Sequence, residues 1–302
     1  MEHIFIVNPK SGKKDNTPYI KEYLEKNCSN IHYTIYNTTC VGDAIRYVKE
    51  RCENKTDSLR FYACGGDGTL NEVVNGAYGF KDVAVSVYPC GTGNDFIKVF
   101  GKENYFSDIL NIINGEEKEI DLLEVNGRLT INICNLGFDA SVAYNMNKFK
   151  KWPLVSGKMA YNLGLVYSLI FKMKQNCKVY IDNKLEFDGK LLLTAAGNGI
   201  CCGGGYYCLP RASIYDGIID AVVVKKMSRF KFVKMVNNYK SGEYVNMPKY
   251  DAVCKYYKCH SIKLESQKDI VYGLDGECGR TKEVEIKVIT GAIKFIVPKQ
   301  YE

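Results

Sequence analysis

Short apolar runs alternate with amphipathic stretches through the first hundred residues. Strand-like runs occupy Ile4–Val7, His32–Tyr36, Phe61–Cys64 and Val83–Tyr88. Between them, apolar residues recur at helical spacing, as in Pro18–Lys26. Strands that alternate with helices predict a parallel sheet of the α/β class, with its ligand-binding loops at the carboxyl ends of the strands.

The pattern changes near Asp121, where short strands separated by turn signals replace the strand–helix alternation. Asn126-Gly127 is typical of a hairpin that joins Leu122–Val125 to Leu129–Cys134. Further turns and strands are predicted at Asp182-Asn183, Asp188-Gly189, Lys190–Ala196, Ile218–Val224, Ser261–Glu265, Ile270–Tyr272, Glu283–Ile289 and Ala292–Val297. The chain is therefore predicted to form an α/β domain over residues 1–121 and a mostly antiparallel β-sandwich domain over residues 122–291.

The loop Gly65-Gly66-Asp67-Gly68 lies between the third strand and a helix that carries Leu70 and Val73 at helical spacing. This order directs backbone N–H groups and a helix N-terminus at one point, which suits a phosphate group. Glycines let the backbone approach an anion because they carry no Cβ. Asp67 would repel a phosphate unless Mg²⁺ lies between them. On this loop alone, an ordinary turn is the alternative.

Two more loops follow predicted strands in the same half of the chain. The stretch from Pro89 to Asp95 contains two glycines that permit positive φ, and Asn94 or Asp95 can cap the helix predicted after it. The stretch Asn8-Pro9-Lys10-Ser11-Gly12 leaves the first strand and runs into two lysines, but the P-loop pattern GxxxxGK[ST] is absent. A solvated basic turn is the alternative for this stretch.

Composition narrows the class of protein. Of 302 residues, 46% are hydrophobic and 25% charged, which is ordinary for a globular protein of one or two domains. The net charge of +7 suits an anionic ligand or membrane surface, and no aromatic–basic platform favours nucleic acid. Thirteen cysteines and an N-terminus unlike a signal peptide predict reduced thiols in the cytoplasm. The longest apolar run, Leu163–Phe171, is too short to span a bilayer.

Two stretches carry a family resemblance. Gly65-Gly-Asp-Gly-Thr-Leu-Asn-Glu72, followed by Gly91-Thr-Gly-Asn-Asp95, resembles the diacylglycerol kinase catalytic domain. Soluble bacterial diacylglycerol kinases share that domain with sphingosine and ceramide kinases. The resemblance implies a first domain like that of NAD kinase and phosphofructokinase, which binds ATP with Mg²⁺. It also implies that the C-terminal tail, residues 292–302, completes this domain, which the residues themselves do not indicate.

Carried over position by position, the resemblance implies contacts with ATP from three loops and one further threonine. These residues are Asn8, Pro9, Lys10, Ser11, Gly12, Thr38, Gly65, Gly66, Asp67, Gly68, Thr69, Leu70, Asn71, Gly91, Thr92, Gly93 and Asn94. Without the resemblance, Thr38 is typical of a turn or helix-cap residue.

Asp275 and Glu277 form a candidate acid–base site. They lie two residues apart after the predicted strand Ile270–Tyr272, and such residues emerge on one side of an extended chain. Phosphoryl transfer to an alcohol needs a group that accepts its proton, and none of the three histidines lies in a motif. The resemblance implies Glu277 as the base, with Asp275 and Asp67 supporting the catalytic site. A solvated turn is the alternative.

A metal site is implied at the loop that ends in Asp216-Gly217. In the soluble bacterial members of the family, the aspartate of this loop and two backbone carbonyls hold a structural Mg²⁺; the matching positions are Asp216, Ser213 and Ile218. Mg²⁺ prefers such oxygen ligands. Without the resemblance, Asp-Gly predicts a simple turn. The cysteines lack the paired spacings of a zinc site and suit small buried hydrophobes.

The resemblance implies an ATP-dependent lipid kinase that phosphorylates a lipid hydroxyl, foremost that of diacylglycerol, at the inner face of the membrane. Alternatives are another lipid acceptor (a sphingoid base, ceramide or monoacylglycerol), a NAD kinase-like enzyme and an inactive nucleotide-binding regulator; a homodimer is left open. Lys148–Leu154 combines cations with Trp152, a pairing suited to a bilayer interface. Ser156–Gln175 is an apolar-rich helix for which a core position is favoured over a lipid contact.

Overall fold

The computed structural model describes residues 1–101, 103–150, 152, 155, 157–274 and 277–299. The chain divides into two compact units. The first comprises Met1–Leu122 together with the chain from Thr290 onward, and the second comprises Leu123–Ile289. The candidate residue Asp275 and part of the Lys148–Leu154 segment lie outside the described residues.

The first unit alternates strands and helices, as its apolar pattern predicts. Helix α1 shows the local reason, because Pro18 lies at its start and Ile20 and Leu24 are buried one turn apart. The elements are β1 (Glu2–Val7), α1 (Thr17–Asn27), β2 (Tyr33–Asn37), α2 (Asp43–Glu53), β3 (Leu59–Gly65), α3 (Asp67–Ala77), β4 (Val83–Pro89), α4 (Ile109–Ile113) and the start of β5 (Glu116–Val125), with 3₁₀ segments at Phe96–Phe100 and Glu103–Ser107.

The second unit is rich in strands. Its elements are β6 (Arg128–Thr130), β7 (Ile133–Gly137), α5 (Phe138–Phe149), α6 (Gly157–Phe171), β8 (Gln175–Ile181), β9 (Lys184–Gly197), β10 (Ile219–Lys225), α7 (Arg229–Ser241), β11 (Cys254–Cys259), β12 (Ser261–Leu274) and most of β13 (Glu277–Val297), with 3₁₀ segments at Glu243–Asn246 and Pro248–Tyr250. Within the described chain, no helix has both the length and the apolar character needed to cross a membrane.

A parallel sheet forms the centre of the first unit. Its strands lie in the order β2–β1–β3–β4, and each neighbouring pair is parallel. The register aligns Val7 with Cys64 and Gly65 with Pro89. Because parallel strands end at the same edge of a sheet, the loops after β1, β3 and β4 leave side by side.

The C-terminal end of β13 lies beside β4. Lys294 pairs with Ala84 and Phe295 with Val85, again in parallel. Ser86 Oγ donates a hydrogen bond of 2.8 Å to the carbonyl oxygen of Ile296. This strand covers an edge of the sheet that would otherwise present unpaired backbone groups.

The second unit is a mostly antiparallel β-sandwich. Strands follow the order β11–β10–β9–β7–β12–β13, and β8 also pairs with both β9 and β12. Strands β7 and β8 lie end to end along β9. Residues of β9 up to Leu191 pair with β8, and residues from Leu193 onward pair with β7. Cys259 on β11 and Ile286 on β13 belong to one buried cluster. Strands from opposite ends of the order therefore meet across one core.

The structure corrects several predicted elements of the second unit. The predicted strand Leu129–Cys134 is two strands, β6 and β7, because Asn132 between them bonds the neighbouring loop through its Nδ2, 3.1 Å from the carbonyl oxygen of Cys201. Asp188-Gly189 lies inside β9 and is not a turn. Glu283–Ile289 and Ala292–Val297 belong to the single strand β13.

The prediction of a helix after the second glycine loop is also wrong. A five-residue 3₁₀ segment, Phe96–Phe100, follows the loop, and the side chain of Asp95 makes no capping hydrogen bond to it. The N–H groups at its start are bonded instead by a carboxylate from the first glycine loop, described below. A cap supplied by a distant residue leaves no signal in the local pattern.

Candidate functional site

Three loops of the first unit meet at the carboxyl edge of its sheet. A Cβ on Gly91 would lie 2.5 Å from the Gly66 Cα, and a Cβ on Gly12 would lie 2.2 Å from the carbonyl oxygen of Cys90. Gly12 also has φ of +81°, which favours glycine. The backbones of the loops therefore touch one another at these positions, where any side chain would force them apart.

Hydrogen bonds fix these loops to the strands that they leave. Asn8 N donates to the carbonyl oxygen of Cys64 at 3.0 Å, and Asn8 Nδ2 donates to Thr69 Oγ1 at 3.2 Å. Cys90 N donates to the carbonyl oxygen of Gly65 at 2.9 Å. The loop after β1, the first turn of α3 and the loop after β4 are consequently held as one group.

Asp67 joins the two glycine loops. Its Oδ2 accepts a hydrogen bond from Asp95 N and its Oδ1 accepts one from Phe96 N, both at 3.0 Å. Burial raises the pKa of Asp67 above its usual value, and these two N–H donors oppose the shift because they stabilise the charged form. Asp67 thus positions the second loop. The two N–H donors also offset part of the carboxylate charge that would repel a phosphate.

The second loop is also held by its own side chains. Asn94, with φ of +45°, accepts a hydrogen bond from Gly91 N at 3.1 Å and donates one to Gly91 O at 3.0 Å. Asp95 is 6% exposed and forms an ion pair of 2.5 Å with Lys98. The sequence pattern does not identify Lys98 as a site residue. Its only indication in the sequence is that it lies three residues after Asp95, a spacing at which opposite charges can pair.

The loop that contains Thr38 is tied to the same region by backbone contacts. Thr38 N donates to the carbonyl oxygen of Val7 at 2.8 Å. Glu72, the last residue of the first glycine signature, accepts hydrogen bonds from Gly42 N at 3.0 Å and Ala44 N at 3.2 Å. A carboxylate here satisfies the free N–H groups at the start of α2.

The structure distributes the predicted ATP-binding residues in three ways. Leu70 is 1% exposed and its side chain belongs to the core, so only its backbone faces the loop. Asn71 Oδ1 accepts a hydrogen bond of 3.2 Å from Asn75 Nδ2. Gly65 and Thr69 are also buried. The other predicted residues on the three loops are partly or fully exposed: Asn8, Pro9, Lys10, Ser11, Gly12, Gly66, Asp67, Gly68, Gly91, Thr92, Gly93 and Asn94.

This arrangement has the chemistry of an anion site. The N-terminus of the eleven-residue helix α3 opens at the loops and carries the positive end of the helix dipole. Lys10, Lys13 and Lys14 are exposed on the loop that follows β1. Backbone N–H groups and mobile cations at one sheet edge are the usual means of holding a polyphosphate.

Glu277 lies in the second unit at the start of β13. It pairs with Leu274 at the end of β12, and residues 275–276 lie outside the described residues. Glu277 Oε2 accepts a hydrogen bond of 2.8 Å from Arg128, and both side chains are about half exposed. The ion pair with Glu277 raises the pKa of Arg128. The Arg128 guanidinium orients this carboxylate, and a proton acceptor must be positioned in this way.

The implied metal ligands lie together on the loop before β10. Asp216 Oδ1 accepts a hydrogen bond from Ile218 N at 3.3 Å, and Gly217 between them has φ of +68°. Lys258 Nζ lies 3.4 Å from Asp216 and 3.6 Å from Asp220, which is fully buried. Burial raises the pKa of Asp220 above its usual value, which favours its neutral form. The oxygen donors of this loop are of the kind that Mg²⁺ prefers.

Side-chain ligands alone do not make a metal site here. Among the described residues, no group of three or more His, Cys, Asp or Glu side chains could hold a metal ion. A cation at Asp216 would therefore depend on backbone carbonyls, such as those of Ser213 and Ile218, and on water.

Asp139 is a further perturbed carboxyl group. It lies in the first turn of α5, directly after β7. Burial raises its pKa to about 7. The sequence around Asp139 does not indicate a shifted pKa, because that shift depends on the residues that cover the carboxyl group.

Comparisons with known proteins agree with this geometry. Residues 2–125 match the family described as diacylglycerol kinase catalytic domain, and residues 132–297 match the YegS C-terminal NAD kinase beta sandwich-like domain. The diacylglycerol kinase of Bacillus subtilis (strain 168) is 30% identical over 299 residues, which cover 98% of this chain and 96% of that protein. A Shewanella frigidimarina (strain NCIMB 400) protein named probable lipid kinase YegS-like is 29% identical, covering 85% of this chain and 82% of that protein.

Solved structures share the fold. The crystal structure of a diacylglycerol kinase from Bacillus anthracis str. Sterne matches with a TM-score of 0.72 at 21% identity, covering 98% of this chain and 96% of that chain. The two domains and the family matches define a lipid kinase, a phosphotransferase with an N-terminal α/β domain and a C-terminal β-sandwich. The chain belongs to the diacylglycerol kinase catalytic-domain family. Membership implies ATP as the phosphoryl donor.

Proposed function

We propose that this lipid kinase transfers the γ-phosphate of ATP to the free hydroxyl of diacylglycerol, giving ADP and phosphatidic acid. The observation that carries the proposal is the meeting of three loops at the N-terminus of α3, where Gly66 and Gly91 leave no room for side chains. The names of the relatives support diacylglycerol as the acceptor.

The three loops take the ATP phosphates. Backbone N–H groups of Gly66–Thr69 and Thr92–Asn94 face the anion, and Lys10 supplies a mobile cation. Mg²⁺, when bound, supplies charge neutralisation at the β- and γ-phosphates. Asp67 keeps the two glycine loops in register and carries the carboxylate that is nearest to them.

Glu277 accepts the proton of the lipid hydroxyl during the transfer. The bond from the hydroxyl oxygen to the γ-phosphorus forms, the bond from that phosphorus to the bridging oxygen breaks, and ADP leaves with the electron pair. Arg128 holds Glu277 Oε2 at 2.8 Å and orients the carboxylate. A positioned acid–base group contributes roughly 10²–10⁴-fold to the rate.

A structural Mg²⁺ binds at Asp216, with the carbonyl oxygens of Ser213 and Ile218 as further ligands. The support is the position of the Asp216 carboxylate on a tight turn with Gly217 at positive φ, beside the backbone of Ile218. The enzyme works as a peripheral protein on an anionic membrane at its cytoplasmic side, since its substrate is a membrane lipid and its net charge is +7.

The test is a radiolabelled ATP assay over mixed micelles. Each micelle carries one acceptor, which is diacylglycerol, monoacylglycerol, ceramide or a sphingoid base, and soluble NAD serves as a separate acceptor. We expect the highest kcat/KM with diacylglycerol. A higher value with any other lipid assigns that lipid as the substrate instead. Label transferred only to NAD would overturn the lipid-kinase proposal itself.

A further inference from the structure

Large apolar side chains of two helices in the second unit are open to solvent. On α6, Val166 is 53%, Ile170 51% and Phe171 63% exposed. On α7, Phe230 is 81% and Val233 60% exposed. We refer to these five residues as the apolar patch. Single exposed apolar residues are ordinary on a protein surface, whereas a contiguous set marks an interaction site.

The packing of α6 explains why its large residues remain outside. Ala160, Gly164 and Ser168 recur at every fourth position and are buried. A Cβ on Gly164 would lie 2.9 Å from both Met146 N and Val142 O on α5. Small residues face α5, and Leu165 and Leu169 pack against a buried cluster of the second unit. The core position favoured from the sequence applies to these residues, whereas Val166, Ile170 and Phe171 remain exposed.

Arg229 joins the end of α6 to the start of α7. Its Nε donates to the carbonyl oxygen of Leu169 and its Nη2 to that of Ile170, both at 2.8 Å. Phe230 follows Arg229 directly, which places it beside the end of α6 that carries Ile170 and Phe171. The hydrogen bonds of Arg229 therefore bring the exposed residues at the end of α6 and at the start of α7 into the same region of the second unit.

The two chain segments that carry the apolar patch contain basic residues and no acidic ones. Between Asp139 and Asp182 the chain carries seven lysines and no acidic residue, and between Asp220 and Glu243 it carries six basic residues and no acidic one. Lys174, Lys231 and Lys234 are exposed. None of these three lysines takes part in the ion pairs of the described second unit.

Apolar side chains with a rim of lysines match one partner best. In an anionic bilayer, the apolar groups enter the boundary between headgroups and acyl chains, while the cations meet the lipid phosphates. A second copy of the chain fits poorly. A two-fold contact would place the lysines of both copies against each other with no acidic residue from these segments between them.

We infer that the apolar patch, with Lys174, Lys231 and Lys234, is the surface through which the enzyme docks on an anionic lipid bilayer. The inference rests on the proposed function in one respect, because a membrane-borne substrate is what makes docking useful. It adds the location and the chemistry of the contact, which the family matches do not give.

Vesicle sedimentation tests the apolar part of the surface. The full-length enzyme is mixed with vesicles of phosphatidylcholine alone or of phosphatidylcholine with phosphatidylglycerol. We expect the wild type to sediment with the mixed vesicles. The double variant Phe171→Ser/Phe230→Ser should lose at least about a hundredfold in partitioning, since each buried Phe contributes at least about tenfold. Leu185→Ser, at a 47% exposed site on β9, is the matched control and should bind as wild type.

A second pair of variants tests the charges. Lys231→Gln/Lys234→Gln should weaken partitioning at low salt by about fivefold per lysine, the effect of about 1 kcal/mol each. Lys184→Gln/Lys263→Gln removes the same net charge at lysines that lie beside Glu186 and Glu265, and should change partitioning much less. Equal losses in both pairs would show that net charge, and not this surface, governs binding.

Activity separates docking from catalysis. On a short-chain diacylglycerol dispersed as monomers, the apolar-patch variants should keep wild-type turnover, while their rate on vesicle-borne diacylglycerol falls with their partitioning. If the wild type phosphorylates no lipid, the proposed function fails, yet the sedimentation result still decides docking. Two results would overturn the inference: wild-type vesicle binding by Phe171→Ser/Phe230→Ser, or a wild-type dimer in analytical ultracentrifugation that this variant dissociates.

Discussion

At the scale of single residues, the glycine loops combine ligand chemistry with loop packing. The sequence explained Gly66 and Gly91 by the approach of an anion, and the structure adds that each backbone also lies against the other loop. Asp67 likewise bonds two N–H groups at the start of the second loop. Substitutions here are therefore expected to affect binding through loop geometry as well as through direct contact.

Replacing Gly66 tests the phosphate loop. A Cβ at this position would already lie 3.3 Å from the Gly91 Cα, so the two branches of valine would separate the loops. We expect Gly66→Val to abolish ATP binding in isothermal titration calorimetry, and Gly66→Ala to weaken it by less. Circular dichroism checks that both variants fold. Unchanged ATP affinity in folded Gly66→Val would show that this loop does not hold the phosphates.

Replacing Glu277 tests the proposed base. Glu277→Gln keeps the shape and removes the proton acceptor, so turnover should fall roughly 10²–10⁴-fold with ATP affinity unchanged. Glu283→Gln is the control, because Glu283 also lies on β13, is similarly exposed and forms an ion pair with Lys263. If Glu277→Gln retains most of its turnover while chemistry limits the rate, Glu277 is not the base and Asp67 is the next carboxylate to test.

Asp139 predicts a pH dependence of stability. Its usual pKa of 3.8 is raised to about 7 by burial, so between these values the folded state binds the proton more tightly than the unfolded state. The resulting stabilisation is complete below about pH 4 and is lost as the pH rises through about 7. Because the residue keeps some exposure, we expect a loss of about 1–3 kcal/mol in the free energy of unfolding.

Denaturant unfolding of the wild type and Asp139→Asn measures this effect. The Asn variant cannot titrate, so its stability should change less between acidic and mildly alkaline buffer than that of the wild type. Asp188→Asn, at an exposed site, should follow the wild type. Parallel curves for the wild type and Asp139→Asn would contradict the raised pKa.

At the scale of elements, the loop before β10 shows how a turn becomes a candidate ion site. Asp216-Gly217 forms the tight turn that its sequence predicts, with Gly217 at φ of +68°. Its carboxylate lies beside Lys258, which reaches it from β11 because Asp220 and Lys258 are directly paired across the strands. The charges beside Asp216 depend on the pairing of β10 with β11, which the sequence of the loop does not show.

Replacing Asp216 tests the structural Mg²⁺. We expect Asp216→Ala to lower turnover while ATP affinity stays close to that of the wild type. Added Mg²⁺ should raise the melting temperature of the nucleotide-free wild type, and this shift should disappear in Asp216→Ala. Asp188→Ala is the control. The same Mg²⁺ shift in Asp216→Ala and in the wild type would place the ion elsewhere, and loss of ATP affinity would make Asp216 part of the nucleotide site.

At the scale of the whole molecule, the proposed docking combines charge with exposed apolar surface. In that proposal, the net charge of +7 attracts the protein to anionic surfaces, and the apolar patch supplies a contact that salt does not screen. Electrostatic attraction falls off within about 10 Å at 0.1 M salt, so the two contributions respond differently to ionic strength.

Activity on vesicles should therefore depend on both lipid charge and salt. We expect the rate on diacylglycerol in anionic vesicles to exceed that in neutral vesicles and to fall as salt is raised. The rate on a monomeric short-chain substrate, measured in the same buffers, corrects for direct effects of salt on catalysis. Equal rates on anionic and neutral vesicles would remove electrostatics from the mechanism.

The sequence by itself determined the alternation of β1–β4 with α1–α3, the position of the glycine loops and the family. These features are local: apolar periodicity sets a strand or helix, and the order of parallel strands with helices sets the edge at which loops gather. The predicted hairpin at Asn126-Gly127 is also confirmed, because both residues have the positive φ that this turn requires.

Only the tertiary structure decided features that join residues far apart in the chain. It supplied the bonds from Asp67 to the loop at Asp95, the ion pair of Arg128 with Glu277, and the pairing of Lys294 with Ala84. It also decided which face of α6 is covered, since Gly164 packs on α5 and leaves Phe171 outside. Contacts of this kind depend on which elements come together in space, and no local pattern of hydrophobic and polar residues records that.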